Sequence, residues 1–137
     1  MPELFLDTGF AIALASPRDQ HHRRAAELAN EIKANASRLV TTQAIVLEIG
    51  NSLSKQNHRS AAVRLITSLR TDETVEILTI DDPLFDKSFA LFANRDDKEW
   101  SLTDCMSFVV METRGITDAL TPDEHFIQAG FNALMRR

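Results

Sequence analysis

Leu4-Phe-Leu-Asp-Thr-Gly9 is a short apolar run that ends in an acid and a turn. Leu4–Leu6 predicts a buried strand, and Phe10–Leu14 predicts a short helix directly after it. Asp7 stands between them, at the carboxyl edge of the strand. Open α/β sheets place ligands at that edge, so the junction is a candidate site as well as a fold signal.

Working outward, the same alternation of short apolar runs and helical segments continues. After a turn at Ser16-Pro17, the segment Gln20–Asn35 sets Ala25, Ala29, Ile32 and Ala36 on one stripe, an amphipathic surface helix. Arg38–Thr41 predicts a brief strand. A helix is expected over Gln43–Lys55 with Ile45, Val46, Ile49 and Leu53 as its apolar face, and another over Arg59–Leu69. Val75–Ile80 is rich in β-branched residues and predicts a strand. Asp81-Asp82-Pro83 then opens a helix carrying Leu84, Phe85, Phe89 and Phe92, with Asp81 as N-cap and Pro83 in the first turn.

The polar stretch Asn94–Glu99 predicts a loop. Leu102–Thr113 is apolar almost all round, the mark of a helix packed on several sides, and Gly115 stops it. Asp118–Thr121 predicts a strand, Thr121-Pro-Asp-Glu124 starts a last helix, and Phe131–Leu134 is expected to close the sheet at its edge. The sum is an α/β fold with a central, mostly parallel sheet. At 137 residues with 44% hydrophobic content, the chain suits a single domain over residues 1–137.

The start of the chain carries Glu3 and Asp7 where a signal peptide needs an apolar core, and no run approaches the roughly 18 apolar residues of a membrane span. Cys105 is the lone cysteine, without neighbours at zinc-ligand spacing, which fits a reducing, cytoplasmic location. A net charge of −5 argues against a protein that coats nucleic acid by general electrostatics. A nucleic-acid enzyme is compatible with that charge if the acidity gathers in a metal pocket and the basic residues collect at its mouth.

Four acids are the candidates for such a pocket, and each has an ordinary structural explanation. Asp7 can cap the helix that follows it. Glu48 interrupts the apolar run Ala44-Ile-Val-Leu-Glu-Ile-Gly50 on the edge of the buried stripe, where a solvated carboxylate with a buried stem is the plain alternative. Asp104 forms Ser101-x-x-Asp104, a capping box, and Asp123 falls in Thr121-Pro-Asp-Glu124, another capping-box pattern with Asp123 as a first-turn acid. Their conjunction points elsewhere. Asp7 and Asp123 both follow strands at one edge of a parallel sheet, and Asp104 begins the helix between the last two strands. Four carboxylates within ~4–6 Å of one another would repel by up to ~4 kcal/mol per pair at an effective dielectric near 20, so such a cluster needs a cation or must hold protons. An all-oxygen set without His or Cys selects Mg2+, with Mn2+ as the alternative, over zinc.

Leu6-Asp-Thr-Gly9, Leu47-Glu-Ile-Gly-Asn51, Ser101-Leu-Thr-Asp-Cys105 and Thr121-Pro-Asp-Glu-His-Phe126, in this order and spacing, closely resemble PIN-domain nucleases of the VapC toxin type, found in prokaryotic toxin–antitoxin pairs. The resemblance spans nearly the whole chain. It implies a PIN-like α/β/α sandwich and Mg2+-dependent endonucleolytic cleavage of RNA, with a small cognate antitoxin as inhibitor and a homodimer as the assembly. By that resemblance Asp7, Asp104 and Asp123 hold the metal, while Glu48 completes the cluster and orients the attacking water. Thr8 and Thr121 match hydroxyl positions beside the acids, and Asn51 matches a polar position one turn from Glu48.

Lys55, on the helix of Glu48 and ~10 Å along its axis, is expected with His58 and Arg59 to line the mouth and hold RNA phosphates. The alternative is a solvated helix end. His21-His-Arg-Arg24 is the densest basic run and reads as solvated surface, while Trp100 and Cys105 read as core. The competing function is a non-catalytic PIN-like adaptor for protein or RNA, in which the acids only cap helices. A phosphotransfer receiver fails because no Lys follows Glu99, and a DxD phosphatase fails because Gly9 stands at the second Asp.

Overall fold

The protein is described by a computed structural model covering residues 2–136. Strand β1 (Glu3–Leu6) leads into helix α1 (Thr8–Ala15), followed by α2 (His22–Asn35), β2 (Arg38–Thr42), α3 (Gln43–Ser52) and α4 (Gln56–Thr71). The second half runs β3 (Val75–Leu78), α5 (Asp82–Asn94), α6 (Leu102–Arg114), β4 (Asp118–Leu120), α7 (Glu124–Gln128) and β5 (Asn132–Ala133), closing with a 3-10 turn at Leu134–Arg136. The five strands form one sheet in the order β3-β2-β1-β4-β5. Every pairing is parallel, with Phe5 opposite Val40 and Leu6 opposite Leu120.

This order decides where a site can form. From β1 the chain steps outward to β2 and β3, then returns to place β4 on the opposite side of β1. The connections leaving the carboxyl ends of β1 and β4 diverge there, and such a switch point is the usual ligand position in open parallel sheets.

Helices cover both faces, and the period of two along each strand divides the core between them. Phe5 and Ala119 join the cluster of Ile45, Ile49, Phe108, Met111 and Phe126 on one face. Leu6 and Leu120 join Phe10, Ala13, Ala25 and Leu28 on the other. Phe5, Leu6, Leu120 and Phe126 are wholly buried or nearly so, and full burial of such a side chain stabilises by ~1.5–3 kcal/mol. Trp100 and Cys105 are core residues, as expected. Trp100 donates its indole N–H to Gln128.

Several expectations shift at the boundaries. The helix expected to run from Gln43 to Lys55 stops at Ser52, where the poor helix formers Gly50, Asn51 and Ser52 follow one another. Lys55 becomes the N-cap of α4, so it does not share a helix with Glu48. Ala36, expected on the stripe of the helix before β2, is instead its C-cap in the left-handed region (φ 51°). Leu28 takes the buried position beside Ala25. Strand β3 ends at Leu78, short of Ile80, whose backbone N–H donates to the Gln43 side chain. Asp81 caps α5 by accepting from the Leu84 amide, as its position predicts.

Candidate active site

Asp7 leaves the end of β1 directly beneath the turn that leaves β4. Its side chain is 9% exposed. Thr121 Oγ1 donates to Asp7 Oδ2 at 2.7 Å and itself accepts the Asp123 amide at 3.1 Å. The Thr121 hydroxyl therefore ties the two strand ends together. Gly9 makes the approach possible: a Cβ there would stand 2.8 Å from Pro122 Cδ, closer than packed carbons come.

Burial pushes the Asp7 carboxyl up to about 7, against the lowering effect of the Thr121 hydroxyl and the Thr8 amide, and the charges of Glu48 and Asp104 push it further the same way. Those two acids therefore lie close enough to act on Asp7 through space. Glu48, half-buried on α3, is also joined to the β1 turn by a short hydrogen bond from the Thr8 hydroxyl. That contact accounts for a charged residue inside an apolar helix.

Asp104 opens α6 through a complete capping box: Ser101 Oγ accepts the Asp104 amide at 3.0 Å and Asp104 Oδ2 accepts the Ser101 amide at 3.1 Å. The helix dipole favours an ionised carboxylate in this first turn. Asp123 is itself the N-cap of α7 and accepts the His125 amide at 2.9 Å. This departs from the expected capping box, since Thr121 turns its hydroxyl to Asp7 rather than to the helix.

His125 was not foreseen. Its Nδ1 lies 3.0 Å from Asp104 Oδ2 and 3.6 Å from Asp123 Oδ1, and ligand atoms of these three residues lie within 4.8 Å of one another. Burial lowers the imidazole pKa, but the hydrogen bond to Asp104 and the charges of Asp123, Asp104 and Glu124 outweigh it, and the net direction is upward. The sequence placed His125 two residues beyond Asp123, and its contact with Asp104 spans 21 positions.

The other expected residues fall further out. Asn51 is exposed, one turn beyond Glu48. Lys55, His58 and Arg59 are exposed at the start of α4, and Arg59 donates to the Ser54 carbonyl at 2.7 Å. Among the described residues none of these three forms an ion pair with any of the four acids.

A family model described as the PIN domain matches residues 4–132. The chain belongs to the PIN-domain family. Two Mycobacterium tuberculosis proteins from different strains, each described as 23S rRNA-specific endonuclease VapC20, are 30% identical to it over 129 residues, covering 93% of this chain and 95% of theirs. The crystal structure of Mycobacterium tuberculosis VapC20, described as a sarcin-ricin loop cleaving toxin, matches with a TM-score of 0.81 at 26% identity, over 93% of this chain and 95% of that one. This PIN domain is thus of the VapC nuclease type, and the five-stranded parallel sheet with helices on both faces is the α/β/α sandwich that the sequence motifs implied.

The donor set suits a hard divalent cation. Asp7 at the end of β1 feels the charges of Glu48 on α3 and Asp104 on α6, Asp104 and Asp123 converge on His125, and carboxylates gathered in this way repel one another unless a cation or a proton offsets their charge. No helix among the described residues is long and apolar enough to cross a membrane.

Proposed function

We propose that this PIN domain, residues 1–137 as one unit, is a divalent-metal-dependent endoribonuclease and the toxin of a toxin–antitoxin pair. The observation that supports the proposal is the chain of contacts at the ends of β1 and β4: Glu48 and Asp104 act on buried Asp7 through space, and Asp123 shares His125 with Asp104.

In this reading Asp7, Asp104 and Asp123 hold Mg2+, with Mn2+ as a substitute. When bound there, such a cation would supply the chemistry of water activation and of charge neutralisation at the leaving oxygen. Glu48, fixed by the Thr8 hydroxyl, accepts a hydrogen bond from the attacking water and aims it at phosphorus. Thr121 keeps Asp7 oriented. Asn51, one turn along α3, supports Glu48 from the solvent side. Lys55, His58 and Arg59 offer phosphate contacts from the start of α4, a sequence-independent grip.

The curated relatives are named for cleaving 23S rRNA, and we extend that substrate class to this chain: a structured loop of ribosomal RNA. An antitoxin protein would restrain the enzyme in the cytoplasm. A second copy would pair through the exposed apolar face of α5, where Phe85, Phe89 and Phe92 are 44%, 53% and 43% exposed and where Phe85 and Phe89 stack at 6.4 Å.

Thermal melting with and without Mg2+ tests the metal site. A ligand at a hundred times its dissociation constant stabilises by ~2.7 kcal/mol, so a clear rise in Tm that chelation reverses is expected. A melt indifferent to Mg2+ and Mn2+, in a chain that still binds RNA, would favour the adaptor instead.

A further inference from the structure

His125 stands where a metal ligand would stand. Adjacent donors on a divalent ion with bonds near ~2.1 Å lie about 3 Å apart when they meet at a right angle. Nδ1 of His125 is 3.0 Å from Asp104 Oδ2 and 3.6 Å from Asp123 Oδ1, the separations of neighbours in a coordination shell. The three side chains are 28%, 16% and 37% exposed, so an ion can reach them from solvent.

The imidazole is not needed to place its neighbours. Asp104 is already fixed by the Ser101 capping box, and Asp123 by its contacts with the Thr121 hydroxyl and the His125 backbone. Phe126, wholly buried next in sequence, anchors the turn that carries the ring.

We propose that His125 is a nitrogen ligand of the metal site, and that Asp104, Asp123 and His125 together form a mixed oxygen–nitrogen face that favours transition-series divalent ions over Mg2+. An ion seated there takes the place of the proton now shared between Nδ1 and Asp104. Mg2+ demands oxygen ligands, whereas imidazole raises affinity along the series from Mn2+ through Co2+ to Ni2+. The proposal rests on the metal site proposed above and deepens it from a hard-ion site to a mixed one.

The test uses the whole chain and does not depend on cleavage. Dissociation constants for Mg2+, Mn2+ and Co2+ are read from thermal shifts for the wild type, His125→Asn and Asp104→Asn. Asn offers an amide N–H to Asp104 much as the ring does, but no imine nitrogen. The wild type is expected to bind Co2+ more tightly than Mn2+, and Mn2+ more tightly than Mg2+. His125→Asn should weaken Co2+ by about tenfold or more while Mg2+ moves by less than about threefold, and Asp104→Asn should weaken all three.

Pulsed EPR of Mn2+ bound to the wild type should show nitrogen coupling that changes with 15N-histidine labelling. An unchanged Co2+-to-Mg2+ ratio in His125→Asn, or Mn2+ bound without nitrogen coupling, overturns this inference and leaves the metal site standing. A wild type that responds to none of the ions overturns both.

Discussion

Thr121 Oγ1 donates to Asp7 Oδ2 at 2.7 Å and accepts from the Asp123 amide at 3.1 Å, so one buried hydroxyl couples acids 116 positions apart in the chain. Removing it strands the buried Asp7 carboxyl and the half-buried Asp123 amide at once. Thr121→Val, similar in size, should destabilise the fold by ~1–3 kcal/mol, the cost of leaving buried polar groups unpaired, and should weaken metal binding through a misplaced Asp7. Chemical denaturation and a metal titration of the variant check both; an unchanged midpoint would mean that Asp7 is positioned some other way.

Gly9 admits the Pro122 ring, and a methyl group there meets Pro122 Cδ at 2.8 Å. Gly9→Ala should therefore push the β1 and β4 turns apart and cost ~1–3 kcal/mol by overpacking, despite the better helix propensity of alanine. A variant as stable as the wild type would show that the proline ring yields freely.

The pH dependence of the metal-free protein follows from Asp7. Its carboxyl is held at about 7 in the fold, against an ordinary value of 3.8. The folded chain keeps this proton while the unfolded chain loses it, so the Asp7 contribution is fully present below pH ~4 and is lost as pH rises through about 7. Asp7→Asn removes that slope. In chelator at pH 8 the variant should be more stable than the wild type by ~1–3 kcal/mol, and added Mg2+ should narrow or reverse the gap. Parallel wild-type and variant stability curves between pH 4 and 8 would contradict the burial of an ionisable Asp7.

Local signals carried most of the fold. Asp81 before Pro83, the Ser101–Asp104 box and Gly115 mark helix ends through contacts within a few residues, and the structure keeps all three. The stop after Ser52 was harder to see because Leu53 continues the apolar stripe, and the break left Lys55 off the helix of Glu48. At the site, the family resemblance singled out the four acids and the Thr8 and Thr121 hydroxyls as candidates, while which group pairs with which was not legible. Thr8 reaches Glu48 across 40 positions and His125 reaches Asp104 across 21. No local pattern encodes such pairs; sheet order creates them. Thr121 illustrates the same limit, since its capping-box spacing is real but its hydroxyl is claimed by Asp7.

The most direct measurement is cleavage of a ribosomal RNA fragment by the purified chain, in Mg2+ or Mn2+ and then in excess chelator, alongside Asp7→Asn and Asp104→Asn. Asn preserves the shape and hydrogen-bond acceptor at both positions but removes the charge. The wild type should cut only with divalent metal, and each variant should stay folded by circular dichroism while losing about a hundredfold or more in rate. Cleavage that persists in chelator, or folded variants that cut as fast as the wild type, would contradict a carboxylate-held metal site.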